Sequence, residues 1–215
     1  MVYLPPHFAE TDTETLRQVI VTSPLGTLVT LGGDGLNANH IPFVLDAKSG
    51  GHGRLLGHVA RNNAVWQDHA GTDDALVIFQ LAEAYVTPTW YATKRETHEV
   101  VPTWNYAVVH AYGPIIVHDD PKWIRGQAGM LTKQEEASQA EPWKMADAPR
   151  EYTEARLRDI VGIEIPITRL IGKFKANQNR SERDRDGVIA GLRDQADAGD
   201  AAMADVMTTI AERVS

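Results

Sequence analysis

The sequence predicts a mainly β fold with peripheral helices, its strands antiparallel in a sheet or barrel and followed by C-terminal helices. Three observations point there. Short runs rich in Val, Leu and Ile recur up to Gly172, with turn residues between them. The stretch TLVTLGGDGLNANHIPFVLD holds two such runs joined by Gly32-Gly33-Asp34-Gly35, a hairpin signal. Beyond Gly172 the chain becomes polar, and its apolar residues fall at helical spacing.

Taken in order, Thr11 to Thr22 reads as a helix. Thr11 or Asp12 caps it, Leu16, Val19 and Ile20 recur along one face, and Pro24 ends it. After the hairpin, GRLLGHVA and ALVIFQL read as strands, with one or two helical turns in NNAVWQDHA between them. AYVTPTWY and TWNYAVVHAYGPIIVH read as two more, the second bending around Gly113-Pro114. Asp120-Pro121 opens a helix through Trp123, Ile124, Ala128 and Leu131, with Asp as cap and Pro at the first position. Glu135 to Arg150 is a polar loop, and Glu154 to Asp159 a short helix. VGIEIPI alternates with period two and is expected to close the barrel. Ser181 with Asp184 forms a capping box for a helix carrying Val188, Ile189 and Leu192. A last helix, Ala202 to Val214, carries Met203, Val206, Met207 and Ile210. The expected organisation is a barrel domain over 1–172 and a helical extension over 173–215 packed on it.

Composition narrows the function. The chain has 215 residues, no cysteine and 43% hydrophobic residues. Disulfides, thiolate metal sites and a cysteine nucleophile are thereby excluded, and a reducing cytoplasm fits. No run of about 18 apolar residues exists to span a membrane, and MVYLPPHFAETD lacks the basic and apolar regions of a signal peptide. The formal net charge of −8 argues against direct DNA binding, which calls for a basic patch. The helical tail has the same sign, with eight acids and four bases from Ser181 to Ser215. None of the eight His falls in a metal-binding spacing; His52, in a Gly-rich turn, and His118, at a strand end, read as solvated. GGDG is neither a Walker loop nor GxGxxG, so a bound phosphate would need side chains.

Four places offer such chemistry. In Gly57-His58-Val59-Ala60-Arg61-Asn62-Asn63 a strand delivers Arg61 and Asn62 to the start of a short helix. Arg presents a planar fork that matches phosphate oxygens, and N–H groups at the helix start would assist it; otherwise this is a strand-end Arg in solvent or paired with a carboxylate. Asn39-His40-Ile41-Pro42 lies on the second strand of the hairpin, where Pro42 marks either an edge strand or a backbone that faces a flat heterocycle. The tripeptide Pro-Thr-Trp occurs twice, at Pro88-Thr89-Trp90 and Pro102-Thr103-Trp104. Alternation from Thr103 puts Thr103, Asn105 and Ala107 on one face and Trp104, Tyr106 and Val108 on the other. These aromatics are core, subunit interface or a stacking wall. Gln178-Asn179-Arg180 is a polar cluster or a plain solvated turn.

Together MVYLPPHF, NANHIPFVLD, LLGHVARNNAVWQD, LVIFQ, YVTPTWY, VPTWNYAVVHAYG and GKFKANQNRSERDRDGVIAGL resemble the PaiB-type FMN-binding proteins, commonly labelled negative transcriptional regulators. The resemblance runs from residue 2 to about residue 192. It implies an antiparallel split β-barrel of the pyridoxamine-phosphate-oxidase type, a homodimer with FMN at the subunit interface. Asn39, His40, Ile41 and Pro42 would then line the flavin ring. Arg61 and Asn62, with His58 nearby, would face the ribityl chain and phosphate, and Gln80 would reach in from the next strand. Trp90, Trp104, Asn105, Tyr106, Gln178 and Arg180 would approach from the same or the partner chain. The function implied is a regulator working through its bound flavin. The other reading is an FMN-dependent oxidoreductase acting on a small molecule, with the flavin as hydride carrier. No residue singles out a catalytic group.

Overall fold

The structure, a computed structural model, describes residues 2–68 and 74–214. Its elements in chain order are β1 (Ala9–Glu10), α1 (Thr13–Thr22), β2 (Leu25–Gly32), β3 (Gly35–Pro42), β4 (Val44–Asp46), β5 (Arg54–Ala60) and β6 (Ala75–Val86). Then come α2 (Lys94–Thr97), β7 (Thr103–Gly113), β8 (Ile116–His118), α3 (Pro121–Glu135), α4 (Arg150–Arg158), β9 (Ile160–Pro166), β10 (Arg169–Lys175), α5 (Glu182–Asp194) and α6 (Ala198–Val214). They fall into two compact units, one of Met1–Val19, Gln80–Val109 and Ile171–Ser215, the other of Ile20–Phe79 and His110–Leu170.

In the first unit the strand order is β1-β10-β7-β6. Its core gathers Ala82, Ala84 and Val86 of β6 with Tyr91, Ala176, Val188 and Leu192 of α5, and Met203, Ala204 and Met207 of α6. The small residues on β6 leave room for two helices whose stripes are the ones the sequence marks. The box signal at Ser181 is half realised: Ser181 Oγ accepts from Asp184 N–H, but the Asp184 carboxylate turns to Thr93 instead. β10 runs to Lys175, three residues past Gly172, where the sequence reading starts its helical region.

In the second unit β6 neighbours β2, which pairs with β3 at the edge, and a second sheet has the order β4-β5-β9-β8. The hairpin turns at Gly33-Asp34, with Gly32 opposite Gly35. The expected barrel-closing strand, β9, is buried on both faces from Val161 to Ile165 rather than half-exposed. Glu164 stays buried because Arg54 Nη1 donates to Oε1 at 3.0 Å and His118 Nε2 lies 2.9 Å from Oε2. His118 also stacks on Trp123 with centroids 4.1 Å apart. The solvated reading of His118 is therefore wrong: its strand-end position puts it against Trp123 and in hydrogen-bond reach of the Glu164 carboxylate.

Three further differences have local causes. The strand bent at Gly113-Pro114 is two strands, β7 and β8, with different neighbours. At Gly113 a Cβ would sit 2.0 Å from Pro166 O, so the backbones approach too closely for any other residue. ALVIFQL and AYV are one continuous strand, β6. Of the turn expected in NNAVWQDHA only a three-residue 3-10 turn, Ala64–Trp66, is described; His69 and Ala70 lie outside the described residues. Elsewhere the caps act as expected, Asp12 rather than Thr11 accepting from Thr15 N–H and Asp120 from Trp123 N–H, both at 2.8 Å.

Candidate functional site

In the second unit, β3 has β2 as its neighbour on one side only, which agrees with the edge position that Pro42 marks. Along it Ile41 points into the core at 3% exposure, while His40 is exposed. Asn39 is held from two sides. Its Nδ2 donates to Asn37 Oδ1 at 3.1 Å, and its Oδ1 accepts from Asn63 Nδ2 at 2.8 Å. Asn63, which sequence reasoning passed over in favour of its neighbour Asn62, also caps the 3-10 turn by accepting from Val65 N–H at 3.0 Å. The N–H of the turn's second residue is thus already used. Asn62 is exposed.

Arg61 is more committed than the sequence suggests. Its Nε donates to Arg158 O at 2.7 Å, and Nη2 donates to Ile160 O at 3.1 Å. Its fork closes on Asp119, Nη1 to Oδ2 at 3.0 Å and Nη2 to Oδ1 at 2.5 Å. The hydrogen bond from Asp119 raises the Arg61 pKa, and that from Arg61 lowers the pKa of Asp119. One N–H of Nη1 remains outside these contacts. Arg61 lines a cavity of about 300 Å³ together with Arg125, Arg158, Asp119 and Glu154. His58 lines a different one, with its Nδ1 2.7 Å from Gln127 Oε1.

In the first unit the candidates separate further. Trp90 sits in a 3-10 turn, Pro88–Trp90, and packs against α5. Asn105 is fully buried; its Nδ2 points at Met207 Sδ, 3.4 Å away, and its Oδ1 has no partner among the described residues. Trp104 and Tyr106 lie on the opposite face of β7, so Asn105 cannot share one ligand surface with them. Trp104 is 54% exposed and meets Tyr85 edge to face with centroids 5.9 Å apart. Tyr106 has Lys173 Nζ 5.3 Å from its ring centroid. Lys175 donates to Trp104 O at 2.7 Å and to Thr103 Oγ1. Burial lowers the Lys175 pKa, and the neighbouring charge of Lys173 adds to it.

The remaining three are engaged locally. Gln80 Nε2 donates to Glu83 Oε2 at 2.6 Å. Gln178 closes a turn with both ends of its amide, donating to Phe174 O and accepting from Ala176 N–H. Arg180 lies over the Tyr91 ring, 5.2 Å from its centroid. Lys173 and Lys175 were missed because KFK was read as lying past the last strand; as strand residues they alternate, which is the signal that would have placed them on one face. Among the described residues no group of three or more His, Asp or Glu is placed to hold a metal, and no helix is long and apolar enough to cross a membrane.

Antiparallel sheets with surrounding helices make the fold a split β-barrel. The sequence profile described as "Putative FMN-binding domain" matches residues 2–169, and the chain belongs to that family. FMN is the cofactor this membership assigns. A protein of Emericella nidulans is 39% identical, covering 89% of this chain and 90% of its own. The protease synthase and sporulation protein PAI 2 of Bacillus subtilis is 30% identical over 96% of both chains, which makes the PaiB-type resemblance a finding. Among solved structures, the flavocytochrome Anf3 from Azotobacter vinelandii superposes with a TM-score of 0.60 at 13% identity, covering 82% of this chain and 74% of that one. The FAD and heme binding protein from Mycobacterium smegmatis gives 0.57 at 18% identity, covering 82% and 78%.

The donor set of the second unit fits the phosphate of FMN in kind. Three guanidinium groups line one cavity, and a planar fork is the geometry that phosphate oxygens accept. Asp119 and Glu154 compete for the same donors.

Proposed function

We propose that this chain is an FMN-holding regulator whose effect on transcription runs through the state of its flavin and not through reading DNA. The observation that carries this is the engagement of the helical tail. Each of its four arginines is already used: Arg183 pairs with Glu96 and Arg193 with Asp205, Arg213 pairs with Glu10, and Arg185 donates to Arg180 O. The apolar faces of α5 and α6 meanwhile belong to the core. A helix that reads DNA needs free cations on its outward face; this tail carries eight acids, and its arginines are engaged within the chain.

In this reading Arg61, with Arg125, Arg158 and Asn62 around it, takes the phosphate. Asn39, His40, Ile41 and Pro42 present the edge of β3 to the ring. FMN, when bound, supplies hydride or single-electron chemistry; the protein orients the ring and sets its surroundings. Tyr85 and Trp104, exposed, with Tyr106 half-buried beside them, form the aromatic face by which a second copy docks, since such a patch marks an interaction surface. The test is binding of the chain to fluorescent duplexes from its own upstream region, with the flavin oxidised and then reduced, across a salt series. Only weak retention without sequence preference is expected in both states. Preference for one operator would overturn the indirect mechanism.

A further inference from the structure

The second cavity of the second unit, about 300 Å³, lies between α3 and α4 under the loop that joins them, with His58 in its wall. Leu131, Met145 and Leu157 make it apolar, and Trp143 and Tyr152, both exposed, stand at its rim. An adjoining cavity of about 480 Å³ shares Trp143 and Met145 with it. This is the scale of small-molecule pockets.

Several polar groups of the lining are already engaged. Thr132 and Thr153 donate their hydroxyls to Ala128 O and Pro149 O in their own helices. Arg156 pairs with Asp159 at 3.2 Å. His58 is different, and Gln127 fixes how. Gln127 is buried, and its amide spans from Leu56 O, 3.2 Å from Nε2, to His58 Nδ1. A carbonyl only accepts, so the amide nitrogen must face Leu56 and its oxygen must face His58. His58 Nδ1 therefore carries the proton and donates it to Gln127. In the neutral ring Nε2 is then an acceptor, and it has no hydrogen-bond partner among the described residues.

We propose that this cavity is a binding site, separate from the flavin's, for a neutral aromatic molecule of about two rings bearing one hydroxyl or N–H that donates to His58 Nε2. The apolar walls account for the rings, and the fixed tautomer selects a donor over an acceptor. His58 is half-buried in the cavity wall, and a ligand that covers Nε2 without donating to it forfeits the hydrogen bond that water would otherwise supply.

The experiment is calorimetric titration of the full chain with 2-naphthol and with 2-methoxynaphthalene, which keeps the rings but has no donor. Binding of 2-naphthol at one per chain is expected, with the methyl ether about tenfold weaker or more. His58→Phe should bring the two ligands to similar affinity, and Ala148→Trp, at the rim, should block both. Saturating FMN should leave naphthol binding unchanged. Equal binding of the two probes by wild type, or a preference that survives His58→Phe, would overturn the role of Nε2. No binding of 2-naphthol up to its solubility, or binding that persists in Ala148→Trp, would overturn the site. Displacement by FMN would show that the cavity belongs to the flavin and overturn its separateness.

Discussion

The same three residues, Pro-Thr-Trp, occur twice in the first unit and do opposite things. Pro88-Thr89-Trp90 folds into a 3-10 turn whose tryptophan is pressed on α5. At Gly191 a Cβ would meet three atoms of the Trp90 ring at 2.4 to 2.5 Å. Pro102-Thr103-Trp104 instead opens strand β7 and leaves its tryptophan more than half exposed beside Tyr85. The neighbours decide the difference: Thr87 and the downstream Thr93 tie the first copy to its turn and to Asp184, while the second has a strand ladder to enter. A local repeat therefore predicts neither burial nor role. The first copy is packing, and the second is the one left over for a partner or a ligand.

The contrast can be broken from the packed side first. Gly191→Ala should cost about 3 kcal/mol in urea unfolding, because overpacking at a ring edge has nowhere to relax. The cost should shrink when Trp90→Ala is added, since the two positions are in contact.

Asp184 is the second lever. It is 3% exposed, and its carboxylate accepts from Thr93 N–H and Thr93 Oγ1, both at 2.9 Å. Burial raises its pKa, but the hydrogen bonds from Thr93 and Ser181 outweigh burial and hold it below the ordinary 3.8. Asp184→Ala should cost about 2–3 kcal/mol at neutral pH by stranding both Thr93 donors. Because the folded pKa is depressed, the stabilisation is complete above the ordinary carboxylate value and is lost as the pH falls through the folded one. Unfolding curves of wild type and variant should accordingly converge in acid.

The exposed copy should answer differently. Trp104→Ala should change stability by less than about 0.5 kcal/mol when measured at high dilution. Light scattering of the variant at high concentration should shift from two chains toward one. A loss of stability as large as that of Gly191→Ala would erase the contrast.

Much of this fold is legible in the sequence because its signals are local. The caps at Asp12, Asp120 and Ser181, the GGDG turn and the apolar stripes of α5 and α6 each depend on residues a few positions apart. What was not legible depends on distant partners. Nothing near Glu164 announces that Arg54 and His118 will bury it, and nothing near Arg61 announces Asp119, 58 positions away. The candidate site suffers most from this: residue type singled out Arg61, and the family resemblance singled out Asn39 and His40, but only the structure shows Asn63 bridging to β3 and His58 turned to another cavity. The resemblance groups Asn105 with Trp104, although alternation along the strand separates them.

The most direct test of the account compares FMN with riboflavin, which lacks the phosphate, by flavin fluorescence on wild type and on Arg61→Ala. Wild type should bind FMN, prefer it to riboflavin, and lose about 1.5–3 kcal/mol of that preference in the variant. A wild type that binds no FMN, or a variant that keeps the full preference, would contradict it.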